Sequence, residues 1–343
     1  MDYSLTTNMN HIYHIDRNFS KLQTRFAILK LIREFLWQDK FVEIEAPTIV
    51  ALPGQEPNIQ PMQVVVKDDK KKSFKGYLHT SPEYTMKKML ATGFEKIFYL
   101  GKCFRDEESF GGTHNPEFTM LEWYRQNASY YDLMDDLEKL SKFINKKLKF
   151  NNKNIAKKWK RQTMKQVWQE FVGVNLDDYL DSKKMCQLCI SLGYKPAKTE
   201  SYEELFYRIF LNKVEPFIGK DVPTIIYEFP KVMASLSKEI NGGKYAERFE
   251  LYYQGIELAN VYTELNDAEE QKKRLQSEQK TRAKNKSLVY PIDEEFIDAL
   301  KTGIGNCAGG ALGVDRLIML FTMDKDIDNV IVLPMSKLFN KEE

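Results

Sequence analysis

Apolar positions at Leu22, Phe26, Leu29, Ile32 and Leu36 recur at helical spacing and predict a helix after a polar leader over 1–17. "FVEIEAPTI" reads as a short strand, with Pro47 marking its end or an edge. Residues 55–67 read as strand and loop, and 68–75 as a basic turn. In "TSPEYTMKKML" Ser81 is placed to be the N-cap, Pro82 to sit at N1 and Glu83 to favour the positive helix end. "KIFYLGKCFR" and "EFTMLEWYR" predict two strands of a hairpin whose long tip is "DEESFGGTHNP". Residues 130–222 are mostly helical and Lys-rich. Strands return at "TIIYEFP", at "ERFELYYQGIELANVYTEL" and near 307–312. "AEEQKKRLQSEQKTRAKNK" reads as an exposed helix and "GVDRLIMLFT" as a helix after a Gly-rich turn. Long strands with helices gathered in blocks indicate an α+β fold on an antiparallel sheet.

Strand parity sorts the side chains. Phe118, Met120, Glu122 and Tyr124 share one face of their strand; Glu117, Thr119, Leu121, Trp123 and Arg125 share the other. Asn260, Tyr262 and Glu264 likewise share a face, whereas Glu257 has opposite parity and joins them only through a bulge or from the strand end. A carboxylate in an apolar strand is costly to bury without a cation. The bland account of Glu122 is an ion pair with a neighbouring strand. Two such strands from distant parts of the chain point instead to a polar site on an open sheet face.

Composition narrows the options. The chain has 343 residues with 51 basic against 49 acidic side chains, so net charge makes no case for a nucleic-acid or membrane partner. No apolar run approaches the roughly 18 residues that span a bilayer, and the N-terminus lacks the apolar core of a signal peptide. Four cysteines make no disulfide framework, and Cys186 and Cys189, a lone CxxC pair, read as helix residues. A reducing cytoplasm is the expected setting.

P-loop and Rossmann glycine patterns are absent, and so is a nucleophile elbow. What remains is Arg105, Arg316, a Gly-rich turn over 308–313 and several strand carboxylates. Arginines suit bidentate phosphate binding, and small residues let backbone approach a ligand. A reaction without a base fits this set. A substrate carboxylate, already ionised at neutral pH, attacks the α-phosphate of ATP, and the protein supplies positioning and charge neutralisation with acids to hold Mg²⁺.

"FRDEE…HNPEFTMLEWY" resembles motif 2 of the class II aminoacyl-tRNA synthetases, and "GALGVDRLIML" resembles motif 3. The segment from about 20 to 48 is similar to the weaker motif 1. "TSPE", "HNPEFTM" and "GIELAN…EL" are closest to the lysyl type. The resemblance spans about 18–335, so a catalytic domain over 18–343 with a helical insertion at about 130–222 is expected. Lysyl-tRNA synthetases carry an anticodon-binding OB-fold ahead of motif 1. Fewer than about 25 residues precede it here, as in the short paralogues that ligate lysine or β-lysine to elongation factor P. Ala311, where the synthetases usually have Gly, points the same way.

The resemblance implies a role for each position. Arg105 would bind the ATP α-phosphate, Asp106 and Glu107 would lie at the adenosine, His114 and Asn115 near adenine, and Phe118 would stack on it. Arg316 would cover the other side of adenine and meet the terminal phosphate, with Leu258 lining the nucleotide site and Gly313 leaving room. Glu257 and Glu264 would hold Mg²⁺. Ser81, Pro82, Glu83, Glu122, Tyr124, Asn260, Tyr262, Glu264 and Ala311 would form the amino-acid pocket, whose acids suit two ammonium groups. It also implies a homodimer through motif 1, no membrane partner and no tRNA substrate. Departures are Val261 and Tyr262 where the family has Gly and Phe, Asp106 where it has Asn, and the tail from 330. Charging of tRNA, an amidating relative like the class II-like asparagine synthetase, and a non-catalytic regulator are the competing readings. An acidic pocket disfavours aspartate, and intact Arg105, Glu257, Glu264 and Arg316 disfavour the regulator.

Overall fold

The computed structural model describes residues 11–339 apart from 151 and 241, so residues 1–10 of the expected leader and the last four of the tail lie outside the described residues. In chain order the elements are α1 His11–Arg17, α2 Phe19–Gln38, β1 Val42–Glu43, β2 Ile49–Val50, β3 Gln63–Lys67, β4 Ser73–Leu78, α3 Glu83–Leu90, β5 Lys96–Phe104 and β6 Glu117–Gln126. There follow α4 Tyr130–Lys147, α5 Lys153–Ala156, β7 Lys160–Thr163, α6 Met164–Phe171, α7 Ser182–Ser191, α8 Tyr202–Lys213, β8 Thr224–Pro230, β9 Tyr245–Tyr253 and β10 Ile256–Thr263. The chain closes with α9 Ala268–Lys284, α10 Glu294–Thr302, β11 Cys307–Gly313, α11 Val314–Thr322 and α12 Met335–Phe339.

The larger sheet has strand order β1-β5-β6-β11-β10-β9-β8-β7, and a smaller one has order β2-β4-β3. β8–β9 and β9–β10 pair antiparallel, whereas β1–β5 and β7–β8 pair parallel. The fold is α+β with a mostly antiparallel sheet, as the blocks of strand and helix predict. Four local readings shift. The single strand expected over "FVEIEAPTI" is two, β1 in the larger sheet and β2 in the smaller. The supposed basic turn over 68–75 is shorter, because 73 onward pairs with β3 as β4. Pro82, not Ser81, holds the N-cap position of α3. Ser81 still serves that helix end, since its Oγ accepts the Glu83 N–H at 3.0 Å. Finally, α9 is not simply an exposed helix, because Gln271, Leu275 and Arg282 are buried.

By internal contacts the chain divides into two units, and the division falls within β6 and β11. One comprises residues up to Trp123, Lys272–Thr302 and 312 onward. Its core lies under α2 and α11, whose faces are rich in Leu and Ile: Leu22, Ile28, Ile32 and Leu36 on one helix, Leu317, Ile318 and Leu320 on the other, are all buried. The second comprises Tyr124–Gln271 and Gly303–Ala311. Its helices gather Trp168, Phe206, Ile209 and Phe210 against Ile226 and Phe229 of β8. Cys189 is part of that core on α7, and burial pushes its thiol pKa up, the behaviour of a packed helix residue.

Candidate active site

In the first unit, β5 delivers Arg105 to the loop before β6. Its backbone N–H donates to Pro116 O at 2.9 Å, and its guanidinium stands 5.0 Å over the Phe118 ring. This cation–π contact holds the side chain flat and leaves Nε buried without a hydrogen-bond partner among the described residues. Asp106 and Glu107 are exposed. The Asp106 N–H donates to Gln60 O at 2.7 Å, and Glu107 has φ +60. In the hairpin tip Gly111 and Gly112 have φ of +92 and +63, and Gly111 and His114 exchange backbone hydrogen bonds.

Arg316 is in the first turn of α11 and docks on that tip. Nε donates to Thr113 O at 3.1 Å and Nη2 to His114 Nε2 at 2.9 Å. A guanidinium can only donate, so Nε2 accepts and the His114 proton sits on Nδ1, which is 3.1 Å from Thr113 Oγ1. Asn115 is buried and spends its amide on structure: Nδ2 donates to Glu117 O at 2.6 Å, and Oδ1 accepts Met335 N–H at 2.9 Å. Gly313 is the N-cap of α11.

The parity split of β6 is visible in its partners. On the even face Ser81 Oγ donates to Glu122 Oε2 at 2.6 Å. On the odd face Thr119 Oγ1 accepts from Arg25 Nη2 at 2.6 Å. Arg25 also pairs with Asp315 and donates to Val330 O, while Asp315 accepts the Thr119 N–H at 2.6 Å. A buried arginine of the motif 1 helix thereby ties the motif 2 strand to the motif 3 helix. Residues 119–124 of β6 are buried throughout, so the strand is not the open surface expected. Glu83 ion-pairs with the fully buried Lys87 at 2.6 Å, one helical turn on.

The second unit carries the remaining acids. β10 has its register shift between Glu257 and Ala259, which makes Leu258 the extra residue of a bulge. A bulge is one of the two routes that the opposite parity of Glu257 left open, and Glu257 also lies at the start of the strand, the other route. Tyr124 and Glu264 are both buried and both press on Gly309: a Cβ there would overlap the Tyr124 ring and come 2.7 Å from Glu264 Oε1. Ala311 has the parity of Gly309 on β11. A Cβ on Gly310 would overlap Val261, so Val261 faces away from Glu264 and only Tyr262 of the two departures shares the Asn260–Glu264 face.

Sequence reasoning missed a polar network beside Asn260. Arg248 donates to Asn260 Oδ1 at 3.1 Å, Glu250 Oε1 at 2.8 Å and Met233 O at 2.7 Å, and Tyr252 Oη donates to Glu250. Burial and the charge of Glu257 push the Glu250 carboxyl up to about 7. The alternation "ERFELYY" held the signal, since a charged pair at 248 and 250 lies on one strand face. Among the described residues no group of three or more His, Cys, Asp or Glu could hold a metal, and no helix is long and apolar enough to cross a membrane.

The model of the class II tRNA synthetases (D, K and N) matches residues 2–337. The chain is 37% identical over 324 residues to the elongation factor P–(R)-β-lysine ligase of Yersinia enterocolitica, covering 93% of this chain and 96% of that one. It is 36% identical to the ligases of the same name from Pseudoalteromonas translucida, over 93% of this chain and 97% of that one, and from Vibrio atlanticus, over 92% and 96%. Motif 2 in the β5–β6 hairpin, motif 3 in β11–α11 and a match over nearly the whole length establish that the chain belongs to the class II tRNA synthetase family.

Proposed function

We propose that this protein is an ATP-dependent ligase that activates lysine or β-lysine as an aminoacyl-adenylate and transfers it to a lysine side chain of elongation factor P. The observation that carries this reading is the end-to-end similarity to proteins named for that ligation. Arg105, flattened on Phe118, is suited to the α-phosphate, and Arg316, fixed by Thr113 and His114, to the terminal phosphate. Neither group needs to move a proton, because the attacking carboxylate is ionised at neutral pH. Asp106, Glu107 and Gly313, and Leu258 of the second unit, are further nucleotide contacts in this reading, and Asn115, bonded to Glu117 and Met335, holds the loop beside them.

In the same reading Ser81, Pro82, Glu83 and Glu122 of the first unit, and Tyr124, Asn260, Tyr262, Glu264 and Ala311 of the second, are the residues that recognise the amino acid. Arg248 donates to Asn260 Oδ1, which fixes the amide orientation and leaves its NH₂ group as a donor for the substrate carboxylate. Mg²⁺ keeps several waters and takes only one or two protein carboxylates beside substrate phosphates. Glu257 and Glu264 fit that demand, and the ion would neutralise charge as pyrophosphate leaves. Exposed Phe19, Phe26 and Trp37 on α2 suit a homodimer through motif 1, and a cytoplasmic setting is what modification of a translation factor calls for.

Amino-acid-dependent ATP–pyrophosphate exchange with α-lysine and with β-lysine tests activation. Transfer of labelled lysine to purified elongation factor P, run beside tRNA, tests the acceptor. Exchange with either lysine followed by labelling of the factor is expected. No exchange, or labelling of tRNA alone, overturns the reading.

A further inference from the structure

The loop over 53–60 is held by side chains from distant parts of the chain. Arg282 of α9, fully buried, donates to Glu56 O at 2.6 Å, Ile59 O at 2.9 Å and Gln60 Oε1 at 2.9 Å. Gln55 donates to Pro291 O at 3.0 Å, and Tyr290 Oη donates to Gly54 O. Gln60 O in turn accepts the Asp106 N–H, so the loop is bonded to the residue that follows Arg105.

This frame directs one acid inward. The Glu56 side chain doubles back over Gly54, where any Cβ would overlap its Oε2. Although the residue as a whole is half-buried, Oε2 is shut off from solvent and has no hydrogen-bond partner among the described residues. Glu83, Lys87 and Arg105 are the charges it feels, and burial followed by Glu83 raises its pKa. Lys87 is already paired with Glu83. Arg105 is stacked on Phe118. A buried carboxylate oxygen without a donor among the described residues, on a loop fixed by four side-chain hydrogen bonds to backbone, is a costly arrangement that a cationic ligand would relieve.

We propose that Glu56 is a specificity residue: its carboxylate receives the substrate ammonium nearest the reacting carboxyl group, and so senses whether that ammonium stands on the α or the β carbon. The inference rests on the reading of the preceding subsection, because Arg105 at the α-phosphate puts the amino acid's carboxyl end, not its ε-ammonium, beside Glu56. No covalent step is involved.

The test is ATP–pyrophosphate exchange by the full chain with α-lysine, β-lysine and, as inhibitor, 6-aminohexanoate, which lacks the ammonium in question. In Glu56→Gln the KM of the preferred lysine is expected to rise about 10- to 100-fold, with KM for ATP and inhibition by 6-aminohexanoate within about twofold of wild type. Gly54→Ala, whose methyl displaces the carboxylate while its backbone needs no positive φ, is expected to raise the same KM and to keep the fold. The proposal is overturned if both variants keep their lysine KM, or if 6-aminohexanoate weakens as much as lysine does. Wild-type protein that activates neither lysine overturns the functional reading itself, an outcome distinct from an active enzyme indifferent to Glu56.

Discussion

In the first unit, the arginines proposed to bind phosphate stand at the ends of elements. Arg105 is one residue past β5, and Arg316 is in the first turn of α11. In the other unit the acids stand on or beside strands, Glu250 within β9, Glu257 at the start of β10 and Glu264 just beyond it. Each placement carries its own cost. A side chain at an element end has no direction imposed by a regular backbone, so Arg316 relies on the Thr113 carbonyl and the His114 ring, and the whole junction relies on Arg25. A strand side chain takes its direction from the pleat but must be given room, and Gly309 and Gly310 provide it. Cations here are held by anchors from elsewhere in the chain; acids are held by period and space.

The strongest way to break this contrast is at the shared anchor. Arg25→Ala leaves Asp315 buried without its cation and is expected to cost about 3–5 kcal/mol of stability, read as a large fall in the thermal midpoint. Arg316→Ala removes a cation but no core packing. Exchange is expected to fall about 10²–10³-fold while circular dichroism and the midpoint stay close to wild type; near-normal turnover would refute its assigned role. On the strand side, Gly309→Ala forces Tyr124 and Glu264 apart and is expected to cost about 1–3 kcal/mol, with a rise in lysine KM and unchanged ATP affinity in a binding assay.

The smallest effect is expected from pH. Burial raises the Glu56 pKa above its unfolded value, so the folded protein holds that proton more tightly. Its contribution to stability is therefore complete at acid pH and is lost as pH rises through the folded pKa. Glu56→Gln should remove that loss, and its midpoint should gain on wild type as pH is raised from 4 towards 7. A constant difference across that range would mean that the carboxylate is not strained by burial.

Much of the strand chemistry could be read from the chain. Two-residue periodicity put Glu122 and Thr119 on opposite faces, and their partners, Ser81 and Arg25, agree. The opposite parity of Glu257 called for a bulge or a place at the strand end, and it has both, with Leu258 the extra residue. Other features left no local trace. Ser81 looked like an N-cap because its type and position fit one, yet the helix begins a residue later and its hydroxyl also serves Glu122. Arg282 looked like one more charge on a polar helix. It is buried because the carbonyls of a loop more than two hundred residues earlier converge on it.

The sequence by itself determined the α+β blocks, the family motifs and the face each strand residue presents, because these follow from periods of two and 3.6 residues and from short contiguous patterns. Only the tertiary structure decided that Arg25 joins the three motifs, that Val261 turns away from Glu264, and that Glu56 is held inward with an acceptor unmet among the described residues. Those outcomes depend on which distant groups satisfy a buried charge, and no local periodicity encodes the partner of a charge.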